Sequence, residues 1–241
     1  MKLTDFKVLT FDCYGTLIDW ESGLWNALQP LLTEGRPSVD REEALEFFAR
    51  LETEQELATP SLRYSALLAV VHARLAKAWG ARAYAELHDR FGGSVPDWPP
   101  FPDSAEALAT LKRHYKLVIL SNVDRQSFAA SNRKLGVVFD AVYTAEDIGS
   151  YKPDPRNFDH LLAHLEADLG IERGQVLHVA QSLHHDHVPA ARAGLARAWI
   201  DRRFGKAGGG ATLPIADRPP VDFVFKNLAE LAEAHRRETE A

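Results

Sequence analysis

Short apolar, β-rich runs recur along the chain, each closing on polar or turn residues: Val8 to Phe11, Leu117 to Leu120, Ala141 to Thr144, Val176 to Val179, Ala198 to Ile200 and Phe223 to Phe225. Runs this short and this evenly apolar predict strands covered on both faces. Between them, helical spacing predicts helices over Ser104 to His114, Gln126 to Leu135, Asn157 to Leu169 and His187 to Ala193. Strand and helix therefore alternate, which predicts an α/β fold with a doubly wound parallel sheet. The stretch from Trp20 to about Arg90 breaks this rhythm. It has no strand-like run, is rich in Ala, Leu, Glu and Arg, and ends at the proline-rich segment from Pro96 to Pro102. It reads as an all-helical insertion above the carboxyl end of the first strand. The expected division is a core of residues 1–16 and 98–241 with a helical cap of residues 17–97. Gly205 to Gly210 reads as a flexible loop.

Composition narrows the partners. An apolar fraction of 46% suits a globular protein, and 28 basic against 34 acidic side chains give a net charge of −6. That balance offers no electrostatic footprint for nucleic acid. No run approaches the roughly 20 apolar residues that cross a bilayer, so neither a membrane nor a nucleic acid is expected as a partner. The lone Cys13 cannot form an internal disulfide, and Met1 to Lys7 has no apolar stretch of the kind an export signal needs. A soluble, cytoplasmic protein is expected.

Four segments carry candidate chemistry. In Phe11-Asp12-Cys13-Tyr14-Gly15-Thr16 a strand delivers one carboxylate into a glycine turn, where an open α/β sheet binds its ligands. Asp12 is thus a candidate nucleophile, the alternative being an Asp that merely ends a strand. Ser121 and Asn122 follow the second strand and suit an anion, or else cap the next helix. Lys152, between Tyr151 and Pro153, could balance Asp12, or lie on the surface. After the fourth strand, Gln181-Ser182-Leu183-His184-His185-Asp186-His187 offers a second carboxylate in Asp186, which could equally cap a helix. The histidines there lack a spacing that would put two on one helix face, so no metal site is expected from them.

In this order, the four segments and the helical insertion resemble the haloacid dehalogenase superfamily over nearly the whole chain. The resemblance implies a Rossmann-like core with an inserted cap. Most members are magnesium phosphohydrolases with Asp-x-Asp in the first motif and an acid directly after the fourth strand. Here Tyr14 and Gln181 hold those positions. The Asp-x-Tyr-Gly-Thr form is similar to that of metal-independent 2-haloacid dehalogenases, whose halide leaves as a stable anion without a proton. By this resemblance Asp12 attacks the halogen-bearing carbon and forms an ester that water cleaves. Thr16 orients Asp12, Lys152 offsets negative charge and Asp186 activates the water. Ser121 and Asn122 hold the substrate carboxylate, with Tyr14, Gln181 and Ser182 also at the substrate. No metal or cofactor is implied, and a homodimer is. The chain departs from the pattern at Leu183, which leaves Gln181 or His184 to replace an asparagine, and at Phe158, which stands for a tyrosine. Arg50 and Arg63 are candidates for the cap arginine that receives halide, and Trp20 and Trp25 for an apolar wall. A magnesium phosphohydrolase and a noncatalytic anion- or protein-binding protein are the alternatives.

Overall fold

Each apolar run becomes a strand. In the computed structural model, which describes residues 1–35, 39–205, 210–212 and 219–240, β1 (Val8–Phe11), β2 (Lys116–Ser121), β3 (Ala141–Thr144), β4 (Val176–Ala180), β5 (Ala196–Ile200) and β6 (Phe223–Phe225) form one sheet. Its order is β3-β2-β1-β4-β5-β6, and every pairing is parallel. Alternate residues serve opposite faces. Leu9, Phe11, Leu117, Ile119, Leu177 and Val179 join one apolar cluster, and Val8, Val118, Leu120 and Val176 the other.

Four helices follow β1: α1 (Trp20–Gly35), α2 (Arg41–Ala58), α3 (Tyr64–Ala78) and α4 (Ala85–Gly92). The chain leaves and re-enters the sheet through two adjacent segments, tied by Asp19 N–H to the Pro99 carbonyl at 2.8 Å and Phe101 N–H to the Leu17 carbonyl at 3.0 Å. Then come α5 (Ser104–Leu111), α6 (Arg125–Leu135), α7 (Ala145–Ile148), α8 (Arg156–Leu169), α9 (Val188–Arg192) and α10 (Leu228–Glu240). The insertion touches the core near the strand ends: Ser65 N–H donates to Asp124, Arg63 pairs with Glu146, and the Tyr151 hydroxyl donates to the Leu62 carbonyl.

Two helix expectations need correction. The helix from Ser104 ends at Leu111 because i→i−3 bonds from Arg113 and His114 tighten its last turn. The helix expected to begin at His187 is preceded by a wide π turn, Leu183–His187, in which His187 N–H reaches the Ser182 carbonyl at 3.2 Å. Pro189 lacks the N–H that an ordinary turn would send back to His185. Of the glycine-rich loop, residues 206–209 lie outside the described residues. Among the described residues, no helix is long and apolar enough to cross a membrane.

The strand order puts the topological switch at β1, which has β2 on one side and β4 on the other. Asp12, Ser121-Asn122 and Gln181 therefore emerge side by side at the carboxyl ends of adjacent strands. Gly15 closes the turn after Asp12 with φ +93°, and a Cβ there would lie 3.0 Å from Trp20 Nε1 and 3.3 Å from Gln181 Oε1. Gly15→Ala is expected to lower unfolding free energy by about 1–3 kcal/mol, read as a lower midpoint in urea; an unchanged midpoint would contradict this account of the turn.

Candidate active site

Beyond β1, the Asp12 amide continues the ladder to the Val179 carbonyl at 3.2 Å, so the backbone fixes where its carboxylate lies. Oδ2 accepts from the Thr16 hydroxyl at 2.7 Å, and Thr16 Oγ1 accepts in turn from the Gln181 amide at 2.9 Å. Oδ1 accepts from Lys152 Nζ at 2.9 Å. The alternative of a surface lysine fails, because Lys152 is only 1% exposed. Its ammonium also donates to Asp186 Oδ1 at 2.7 Å and to the Leu120 carbonyl at 2.9 Å, so one cation holds two carboxylates.

Behind Asp186 a polar file crosses the apolar sheet. His178 Nε2 lies 2.9 Å from Asp186 Oδ1, and His178 Nδ1 lies 2.9 Å from the hydroxyl of Thr10, its register neighbour on β1. Phe158, expected in a tyrosine's place, backs His178 edge-on at 5.1 Å. Burial alone would raise the carboxyl of Asp186, but the Lys152 charge and the His178 bond outweigh it and hold Asp186 below the usual carboxylate range. Asp12 goes the other way: burial and the charge of Asp186 raise it against the pull of Lys152 and Thr16. Lys152 itself pays burial's penalty but is raised by its two carboxylates.

These groups open on a cavity of about 40 Å³ lined by Asp12, Ser121, Lys152 and Asp186 on the core side and Trp20, Glu52, Glu56 and Tyr64 from the insertion. Tyr14, Asn122, Gln181, Ser182 and His185 also line it, so every expected site residue except Thr16 faces the cavity, and Thr16 touches Asp12 directly. The capping alternatives for Ser121, Asn122 and Asp186 are excluded: Asp124 caps α6 through Ser127 N–H at 2.9 Å, and Ser182 caps the π turn through His185 N–H at 3.0 Å. Ser121 Oγ and Asp186 Oδ2 are buried without a partner.

Several expected contacts are differently engaged. Asn122 has both amide atoms taken, its Oδ1 by Lys152 N–H at 2.7 Å and its Nδ2 by the Lys152 carbonyl and Glu56 Oε1, so Ser121 is the member of that pair with a hydroxyl left over. The Tyr14 hydroxyl bonds to Ser131 Oγ at 2.8 Å, leaving its ring to the cavity. Of the two tryptophans proposed as a wall, Trp20 lines the cavity, whereas Trp25 packs at the edge of the core. Arg50 stacks over Phe47 at 4.7 Å, and Arg63, 66% exposed, pairs with Glu146. Neither lines the cavity.

The sequence reading missed Glu52, Glu56, Tyr64 and His178, and took His185 only as one of the histidines beside Asp186. Glu52 and Glu56 extend the buried stripe Leu45, Phe48, Ala49 of α2 at helical spacing, which was the signal available. Tyr64 donates to Glu52 at 2.6 Å. Burial pushes Glu52 up to about 8 and raises Glu56 well above its usual value, and it pushes His185 down to about 3.

A family model for haloacid dehalogenase-like hydrolases matches residues 6–194. The chain belongs to this family. Among its curated relatives, an (S)-2-haloacid dehalogenase of Pseudomonas putida is 29% identical over 150 residues, covering 61% of each protein. The chain thus spans 61% of the length of that relative. A solved L-2-haloacid dehalogenase of Xanthobacter autotrophicus with chloropropionic acid covalently bound has a TM-score of 0.75 at 22% identity, covering 96% of this chain and 98% of the other. A magnesium-bound HAD-hydrolase of Bacillus subtilis has a TM-score of 0.74 at 18% identity, covering 96% and 99%. The two solved structures share the fold of this chain.

The buried acids predict a pH effect on stability. An unfolded glutamate ionises near 4.5, whereas Glu52 in the folded chain ionises near 8. Between those values the folded chain holds the extra proton, so this residue's contribution falls as pH rises. Glu52→Gln, which still accepts from Tyr64, is expected to gain stability relative to the parent between pH 5 and pH 8, by about 1 kcal/mol or more at the upper end. Parallel thermal melts across that range check it, and a gap independent of pH would contradict the assignment.

Proposed function

We propose that the protein hydrolyses short 2-haloalkanoic acids to 2-hydroxy acids through a covalent ester on Asp12. The observation that carries this reading is the Asp12 carboxylate held in the cavity between the core and the insertion by Lys152 and Thr16, both of which leave its oxygens a lone pair for attack. The named activity of the curated relatives supports it. The insertion, residues 17–97, acts as the cap over a core of residues 1–16 and 98–241.

Asp12 attacks the carbon bearing the halogen, the halide leaves with the bonding pair, and an aspartyl ester results. Ser121 Oγ, buried and unpartnered, binds the substrate carboxylate with the turn at Asn122. Tyr14, Gln181 and Ser182 shape the rest of the cavity. Asp186 then orients water through its free Oδ2 toward the ester carbonyl. Water's oxygen ends in Asp12 and the 2-hydroxy acid departs with an oxygen that began there. Lys152 compensates the charge of whichever of Asp12 and Asp186 is ionised at each stage.

A magnesium-dependent phosphohydrolase suits these side chains less well. Magnesium is commonly held by one or two carboxylates with near-octahedral oxygen geometry. Here Asp12 Oδ1 and Asp186 Oδ1 both face the ammonium of Lys152, the Gln181 side chain accepts from Thr212 at 3.4 Å, and the Tyr14 phenol is tied to Ser131. A noncatalytic binding role gives no reason to bury two carboxylates around one lysine. In solution, a cytoplasmic homodimer completes the reading.

Chelator-treated protein is expected to release chloride from 2-chloropropionate, and Asp12→Asn to lose about 1000-fold or more while melting as the parent does. A single turnover in ¹⁸O-water should label Asp12 and leave the hydroxy acid unlabelled. Full activity of Asp12→Asn, or activity only toward p-nitrophenyl phosphate with magnesium, would overturn the proposal.

A further inference from the structure

Nothing in the reaction above uses the two glutamates that the insertion sends into the cavity. Glu52 and Glu56 sit four residues apart on one face of α2, both buried. Buried carboxylates ordinarily face a cation. Here Glu52 meets the Tyr64 hydroxyl, and Glu56 meets the Asn122 amide at 3.1 Å and His185 Nε2 at 3.7 Å. The cation of the site, Lys152, is spent on Asp12, Asp186 and the Leu120 carbonyl. Two adjacent carboxyls so placed cannot both carry charge, and burial raises both, so they enter the cavity as hydrogen-bond donors.

Geometry says what they would meet. Backside displacement sends the leaving atom away from the nucleophile. Asp12 attacks from the core, so the leaving atom heads for the wall that the insertion supplies, namely Trp20, Glu52, Glu56 and Tyr64. The cavity also carries the signs of a ligand site, for Ser121 Oγ and Asp186 Oδ2 face it buried and unpartnered. Glu56 differs from Glu52 in one respect. It also lines an outer cavity of about 380 Å³ with Leu57, Pro60, Tyr151 and His184, which shares only Glu56 and Lys152 with the inner one. An acid spent in each turnover needs a route to regain its proton, and Glu56 is the member of the pair with access to a second chamber.

Resting on the reading of Asp12 as nucleophile, we propose that Glu56, backed by Glu52, is a catalytic acid for the leaving group, so that the site also opens small strained rings whose leaving atom must be protonated, such as an oxirane-2-carboxylate. Asp12 forms a bond to C2, the C2–O bond breaks, and the ring oxygen takes the proton of Glu56 to become the C3 hydroxyl. Water then cleaves the ester. One of its protons returns the acid to its starting state, so that epoxide plus water gives the 2,3-dihydroxy acid. For a halide, the same carboxyl donates a hydrogen bond where an arginine was expected.

The test compares 2-bromopropionate with oxirane-2-carboxylate in the parent, Glu56→Gln and Glu56→Asp, with melting curves for each. The parent is expected to turn over both. Glu56→Gln should lose less than about tenfold on bromide release and about 100-fold or more on ring opening, the range general acids contribute, and Glu56→Asp should recover part of the ring opening. Turnover of the bromo acid with none of the epoxide, or equal losses on both in Glu56→Gln, overturns the acid role and leaves the Asp12 reading standing. Failure of the parent on both substrates overturns both.

Discussion

The ammonium of Lys152 is the constraint on which the site depends. Burying two carboxylates a few ångströms apart costs far more than a domain can spare unless a cation lies between them. Lys152 meets that requirement at 2.9 Å to Asp12 and 2.7 Å to Asp186. Removing one member of such a buried set typically destabilises by about 3–5 kcal/mol. The lysine is also held from its own backbone, since its N–H and carbonyl clamp the side chain of Asn122. Asn122 in turn reaches Glu56, which ties the placement of the cation to the wall that the insertion provides.

The sheet order makes this convergence possible. Asp12, Asn122, Lys152 and Asp186 are spread over 175 residues, yet β3, β2, β1 and β4 are consecutive neighbours in the sheet, so the segments that follow them share one crevice. The register adds a second tier. Thr10 and His178 are partners on neighbouring strands, and their side chains carry a polar file through an otherwise apolar layer to Asp186. Asp186 lies within the π turn, its N–H on the Ser182 carbonyl at 3.2 Å, and from there its side chain meets Lys152 and His178.

All six strands and the helical insertion were legible, because each strand is a short, mainly apolar run closed by polar or turn residues, whereas the apolar residues of the insertion recur at helical spacing. The core side of the site was legible too, since Asp12, Ser121, Lys152 and Asp186 stand directly after strands or in short turns where an α/β sheet gathers its chemistry. The wall from the insertion was not. Glu52 and Glu56 look like ordinary charged positions of a surface helix, and only the packing of α2 against α3 turns that stripe inward. Arg50 and Arg63 were plausible by residue type alone, but the helical phase of Arg50 and the position of Arg63 before α3 aim both outward. Nor could local sequence show that the Asn122 amide is consumed within the protein, because its partners lie 30 and 66 residues away.

The family fold does not choose the reaction. A magnesium-bound hydrolase and dehalogenases share it at similar TM-scores, so the choice must lie in side chains that the fold leaves free. Position 14 is one: a phenol tied to Ser131, its ionisation raised by burial, is a poor proton donor to a group leaving Asp12. Positions 52 and 56 are another, because they place two buried carboxyls on the opposite wall of the cavity. A donor on the far wall suits a leaving group displaced from the back of a carbon atom. On the reading proposed above, the group displaced by Asp12 departs toward the wall that carries Glu52 and Glu56, so the acid of the site comes from the insertion and not from position 14.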